Sequence, residues 1–273
     1  MSYLIYKNAL DLNKRWKFKC YDISRNFSKI VSIDTSNNLT TWDIEKSQVL
    51  SEFNMYSITS NVNQILFTID DTKVITSSHN GNIILWDLIN CVPIHVISNC
   101  YFRSAPLINL SLDGQYLIKE NDCFIEMWNL NTLTRYNHCT ISKFMFIYCV
   151  VMLSTTQFLV GTNINNAYLC NGEGEICQTY TGHTDTIVNI KLILPVYDKN
   201  KITFDCEEIK YFLSSSFDLT IKKWDLESGI CISSFKTNTA IYPNFFVYNV
   251  DNLDNKVIIS STTNDDYEVF ADL

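Results

Sequence analysis

Residues 211–226, YFLSSSFDLTIKKWDL, decide the fold. Two extended runs rich in β-branched and aromatic residues, YFLSSSFD and LTIKKWDL, meet at Asp218-Leu219 and read as a hairpin of antiparallel strands. GHTDTIVNIKLIL precedes this pair and ICISSFK follows it, so one unit carries four extended runs. The end of the third run recurs as NLTTWDI at 38–44, NIILWDL at 82–88 and FIEMWNL at 124–130, placing Trp42, Trp86 and Trp128 in register with Trp224. The gap from Trp128 to Trp224 is 96 residues, room for two periods. AYLCNGEGEI at 167–176 supplies the missing member with Leu169 in the tryptophan slot, and DYEVFADL at 266–273 adds another with Phe270. The slots 42, 86, 128, 169, 224 and 270 lie 44, 42, 41, 55 and 46 apart, a period that marks a repeat architecture.

Each slot follows a short turn: Asn37-Asn38, Asn80-Gly81, Asp122-Cys123, Asn165-Asn166, Asp218-Leu219 and Asn264-Asp265. The chain has only seven glycines. Asparagine, the next residue most tolerant of left-handed backbone, takes over much of the turn-making. Helical periodicity is absent. One four-stranded sheet cannot bury both its faces, so neighbouring units must stack, and radial stacking leaves few open edges.

Composition sets outer limits. Apolar residues make up 47% of 273 and charged ones 18%, an ordinary globular balance. The longest apolar run, Phe144 to Leu153, is half of a membrane-spanning helix, and the first twenty residues lack a secretory signal pattern. A net charge of −8 argues against a sequence-independent grip on nucleic acid or anionic lipid. The ten cysteines are scattered with no C-x-x-C pair, and read as reduced apolar residues of a cytoplasmic or nuclear protein. The four histidines have no partner at zinc-site spacing, so no metal or cofactor is expected.

With these residues in view the whole chain resembles the WD-repeat β-propellers. The most specific stretch is the fifth unit, where Gly182-His183, Ser214, Asp218 and Trp224-Asp225 match the family pattern. The resemblance implies a structural hydrogen-bond chain from Asp218 to His183 to Ser214 to the Trp224 indole. That chain makes physical sense, because a buried indole N–H and imidazole each need a partner. Elsewhere the set decays: Thr76, Asn80 and Trp86 remain in unit two, Ser32 and Trp42 in unit one, Asp122 and Trp128 in unit three, and Ser260 and Asn264 in unit six. Unit four keeps least.

The expected architecture is therefore all-β, one domain over 1–273 folded as a propeller of six four-stranded blades. The last unit has no fourth strand of its own after Phe270, and residues 1–12 are expected to supply it, with 3–11 as the closing strand. The alternative is an open ring completed by a partner's strand.

No catalytic motif is present: no H-E-x-x-H, G-x-S-x-G or phosphate-binding glycine loop. The glycines of NGEGEI, at 171–176, precede no helix and serve a hairpin. No enzyme activity and no small-molecule substrate are expected, and binding is the remaining class. Residues just before the turn slots, Thr35, His79, Asn121, Thr162, Phe217 and Thr263, point toward one face of a propeller; His79 and the aromatic Phe217 are candidate contacts. Tyr101, Phe102 and Arg103, entering unit three, have interface character or else begin a strand. The 55-residue gap carries an insertion, PVYDKNKITFDCEEIK at 195–210, whose Ile202 and Phe204 are two apolar anchors within a charged loop. The run Lys14, Arg15, Lys17 and Lys19, interleaved with Trp16 and Phe18, is either a phosphate-facing patch or a solvated strand entry.

The function expected is a non-catalytic intracellular scaffold, a WD-repeat subunit that binds other protein subunits and no membrane. A ribosome-associated, kinase-anchoring scaffold of the family is one alternative, since the family resemblance at GHTD with its following insertion suits it. A subunit of an RNA-processing or tRNA-modifying complex, touching RNA only indirectly through the basic run, is the other. WD-repeat folds host unrelated functions, so the partner complex is not legible.

Overall fold

The computed structural model describes residues 19–26, 28–55, 61–99, 107–121, 124–141, 145–193 and 208–236, together with the backbone of strands at 245–248, 256–260 and 267–270. The chain forms two compact units, Met1–Ile108 and Asn109–Leu273. No α-helix occurs among the described residues.

The first unit holds two sheets. One is β1 (Cys20–Ile23), β2 (Lys29–Ile33), β3 (Asn38–Asp43) and β4 (Gln48–Asn54); the other is β5 (Val62–Phe67), β6 (Lys73–Ser78), β7 (Asn82–Asp87) and β8 (Val92–Asn99). Both are antiparallel, with strands in chain order. Val31, Ile33, Leu39, Val62, Ile65, Val74, Ile84 and Trp86 share one core between them.

The second unit begins with β9 (Ile108–Leu110), whose first residue lies at the boundary, then β10 (Tyr116–Asn121), β11 (Phe124–Asn129) and β12 (Thr134–Thr140). The fourth sheet is β13 (Ile147–Met152), β14 (Gln157–Thr162), β15 (Asn166–Asn171) and β16 (Ile176–Thr181). The fifth is β17 (Ile187–Ile193), β18 (Tyr211–Ser216), β19 (Thr220–Asp225) and β20 (Cys231–Lys236). The sixth has β21 (Phe245–Tyr248), β22 (Lys256–Ser260) and β23 (Tyr267–Phe270). Leu159, Tyr180, Ile187, Ile190, Phe212 and Trp224 form the core between the fourth and fifth sheets.

Six four-stranded blades are thus corrected to five four-stranded sheets among the described residues, where the sixth sheet has three hydrogen-bonded strands. Residues 1–12, expected to complete the last sheet, lie outside the described residues.

Strand register corrects two positions. Trp42, Trp86, Trp128 and Trp224 each oppose an apolar residue of the preceding strand: Ile30, Val74, Leu117 and Phe212. In the fourth sheet the residue so placed, opposite Phe158, is Cys170 and not Leu169. The side chain of Asn171 then accepts from the Glu173 and Glu175 amides, as Asp225 accepts from Ser228. A small buried thiol takes the slot, so the bulk that marks it elsewhere is missing. In the sixth sheet Val257 opposes Phe270, so Ile259 rather than Ser260 occupies the register position of Ser214.

The turns show where left-handed backbone is needed. Asn37, Asn165 and Gly81 take φ of 57°, 66° and 82°, while in the fifth sheet Leu219 takes 63°. All five four-stranded sheets also carry a bulge between their last two strands. The extra residues are Leu50, Ile94, Tyr136, Cys177 and Ile232, each just past the tryptophan-slot pairing.

Candidate functional site

The fifth sheet brings His183, Ser214, Asp218 and Trp224 together. His183 Nδ1 lies 2.8 Å from Asp218 Oδ2, His183 Nε2 lies 2.7 Å from Ser214 Oγ, and the Trp224 indole N–H donates to Ser214 Oγ at 2.7 Å. The network assigns the tautomer: Nδ1–H donates to the carboxylate, and Nε2 accepts the serine proton. Asp218 also accepts from the Thr184 and Thr220 amides and the Thr220 hydroxyl. Burial pushes the His183 pKa below its ordinary value despite the neighbouring carboxylate, so the ring is neutral at neutral pH. Burial would raise Asp218, but its hydrogen bonds from Thr220, Thr184 and His183 outweigh this and hold it low.

The connectivity Asp–His–Ser is that of a hydrolase triad, and the surroundings decide what it can do. A nucleophile must meet substrate, yet Ser214 is 0% exposed and its oxygen already accepts an indole proton. The arrangement serves to satisfy buried polar groups.

The other sheets keep fragments of it. Trp42 donates to Ser32 Oγ at 3.1 Å and Trp86 to Thr76 Oγ1 at 2.9 Å. In the fourth sheet Val160 and Cys170 hold the serine and tryptophan positions, both fully buried, so neither indole donor nor hydroxyl acceptor is needed. The third sheet substitutes a charge pair. Lys119, in the serine position and fully buried, meets Glu126 Oε2 at 3.2 Å, Arg135 meets Glu126 Oε1 at 3.0 Å, and the Trp128 indole donates to the same carboxylate at 3.4 Å. Burial would raise the Glu126 pKa, but Lys119 and the hydrogen bonds from Lys119, Arg135 and Trp128 bring it below its usual value. This cluster escaped sequence reasoning; the available signal was a lysine two residues past Leu117 with a glutamate two before Trp128.

The proposed contact residues are distributed as follows. His79 is exposed in the β6–β7 turn of the first unit, and Phe217 is half-buried in the β18–β19 turn of the second. Lys19 is half-buried and donates to Asn61 Oδ1. Tyr101, Phe102, Arg103, Ile202, Phe204, Lys14, Arg15 and Lys17 lie outside the described residues. Sequence reasoning passed over a set of large exposed apolar residues in the second unit: Phe124, Phe146, Ile164 and Leu219. Each sits at the same end of its own sheet, where the second strand turns into the third or the first strand begins.

Among the described residues no group of three or more His, Cys, Asp or Glu is placed to hold a metal ion, and no helix is long and apolar enough to cross a membrane. The described cysteines are free thiols; burial drives Cys139 to about 11 and Cys20, Cys149 and Cys170 to about 12.

The molecule thus belongs to the all-β proteins built by repeating a four-stranded antiparallel sheet, an arrangement consistent with a WD-repeat-like propeller. Against known proteins the chain is similar to Autophagy-related protein 16 of Arabidopsis thaliana, 26% identical over 122 residues. The match takes in 44% of this chain and only 21% of the relative's length. No protein-family model matches.

Proposed function

We propose that this chain is a non-catalytic WD-repeat-type scaffold that binds other protein subunits. The observation that carries this reading is the placement of its residues by chemistry. The triad-like set His183, Ser214 and Asp218 and the pair Lys119 and Glu126 are engaged in bonds within their own sheets. The surface instead presents Phe124, Phe146, Ile164 and Leu219 at sheet ends, where rigid elements expose apolar anchors suited to protein contacts. Similarity over part of the chain to Autophagy-related protein 16 supports the scaffold class and names no complex. Free thiols suit a reducing compartment, cytoplasm or nucleus. The insertion at 195–210, with Ile202 and Phe204, is a second docking element in this reading.

The test is purification of the tagged chain with its native partners, in parallel with the double variant Phe146→Ser, Ile164→Ser and with a chain whose residues 197–208 are replaced by a Gly-Ser link. The expected result is a stoichiometric protein set that at least one variant loses while remaining folded. Absence of any stoichiometric partner, or full retention by both folded variants, overturns the reading.

A further inference from the structure

The sequence places glycine directly after asparagine twice, at Asn80-Gly81 and Asn171-Gly172. Asparagine is a chemically labile residue, and a following glycine, with no Cβ, leaves its own backbone nitrogen the freest approach to the side-chain carbonyl carbon. The two pairs have opposite surroundings. Gly81 is buried, and its N–H donates to the Ser78 carbonyl at 2.9 Å. Gly172 is half-buried, and its N–H meets no acceptor among the described residues.

The Asn171 side chain is held as an electrophile. Its Oδ1 accepts from the Glu173 and Glu175 amides at 3.0 and 2.9 Å. Its Nδ2 donates to Glu175 Oε2 at 2.8 Å, so the network fixes which end of the amide is which. Two N–H groups therefore point at the oxygen on which negative charge develops when the carbonyl is attacked. The attacking nitrogen belongs to the next residue and needs no encounter. At Asn80 the Oδ1 accepts from one amide, Asn82 at 3.2 Å, and from the Ser78 hydroxyl at 2.6 Å.

We propose that Asn171 is a self-modification site, at which the folded chain converts asparagine to an acidic residue with water as co-reactant. The Gly172 nitrogen gives its proton to solvent and bonds to Asn171 Cγ. The Cγ–Nδ2 bond breaks and Nδ2 leaves as ammonia, closing a succinimide ring. Water then opens the ring at either carbonyl, leaving an aspartate or an isoaspartyl link at position 171. The first product suits the fold, since Asp43, Asp87 and Asp225 hold the same place in their sheets and accept turn amides. The second adds a carbon to the backbone between β15 and β16. That turn is seated tightly on β12: Asn137 Nδ2 donates to the Gly172 carbonyl at 2.6 Å, and a Cβ at Gly174 would lie 2.9 Å from the Thr140 carbonyl oxygen. The isoaspartyl product unseats the turn, so the contact between third and fourth sheets loosens as the protein ages.

The test is incubation of the full folded chain at neutral pH in water labelled with heavy oxygen, with label read by peptide mass spectrometry at positions 171 and 80. Label is expected to enter at 171 at least about tenfold faster than at 80, the scale of one protecting hydrogen bond. In urea, where Gly81 loses that bond, the two rates should converge. Asn171→Gln, whose longer side chain cannot close the same ring, should take up no label there. A folded chain that gains no label at 171, or gains it no faster than at 80, overturns the proposal. So does the same preference persisting in urea, which would assign it to local sequence rather than to the fold.

Discussion

Lys119 and Glu126 face each other across β10 and β11 with 3.2 Å between ammonium nitrogen and carboxylate oxygen, at the level where the fifth sheet has Ser214. The lysine side chain is fully buried and the glutamate side chain is 16% exposed. Removing one partner strands the other charge in a low-dielectric site, which typically costs about 3–5 kcal/mol, whereas replacing both by apolar residues is often neutral or stabilising. Glu126→Gln is therefore expected to lower the unfolding free energy by about that amount, and Lys119→Met with Glu126→Leu to recover most of it. Urea titrations of the two variants check this; equal losses would show that the pair is not energetically coupled.

Asp218→Ala leaves the His183 ring and the Thr184 amide without their acceptor. The expected loss is about 2–4 kcal/mol, combining a lost charge-assisted bond with unsatisfied buried donors. Trp42→Phe, which breaks a single indole–hydroxyl bond in the first sheet and leaves the ring bulk, should cost clearly less. Melting temperatures of the two variants compare them directly.

The His183 pKa is depressed in the fold, so the unfolded chain takes up the proton first as pH falls. Its contribution to stability is complete above the unfolded value of 6.5 and shrinks as pH drops below it. Asp71 behaves oppositely. Burial raises its pKa even though Lys29 stands nearby, so its contribution is full below 3.8 and is lost as pH rises through the folded value. Asp71→Asn, which tolerates the residue's φ of 53°, should raise the denaturation midpoint at neutral pH and change it little at pH 3. A variant no more stable at pH 7 would contradict this.

Leu219 holds a left-handed φ of 63° where the corresponding second-to-third-strand turns of the first, second and fourth sheets use Asn37, Gly81 and Asn165, and such backbone costs a branched residue roughly 1–2 kcal/mol. The bonds that the Asp218 carboxylate accepts from the Thr220 and Thr184 amides fix the turn around it. Leu219→Asn should stabilise the chain by about 1 kcal/mol, measured by urea unfolding. If the fold exposes this leucine for binding, the same variant weakens partner retention while gaining stability.

The strands and turns were legible because they rest on local rules: β-branched runs, Asn-rich turns, and an indole that must find a hydroxyl. Trp42, Trp86 and Trp224 each announce such a bond. Cys170 escaped because it brings no donor, and with the apolar Val160 in the serine position of the neighbouring strand the slot could be filled by shape alone. Lys119 escaped for a different reason. Lysine is almost never buried unless paired, and its partners Glu126 and, through that carboxylate, Arg135 and Trp128 lie on strands whose register had to be known first. The exposed apolar ends went unread because exposure is a property of packing, and Phe146 or Ile164 in sequence looks like any core residue.

Every four-stranded sheet here is made of consecutive strands in chain order, with each strand pairing only with its immediate neighbours. During synthesis, at roughly 5–20 residues per second, one period of about 42–54 residues takes seconds to emerge, while a hairpin forms in about 1–10 μs. Each sheet can therefore finish its hydrogen bonding before the next has left the ribosome. What remains is the packing of finished sheets on one another within each unit, and a lesion such as Glu126→Gln in the third sheet would leave the two sheets of the first unit to form at their normal rate.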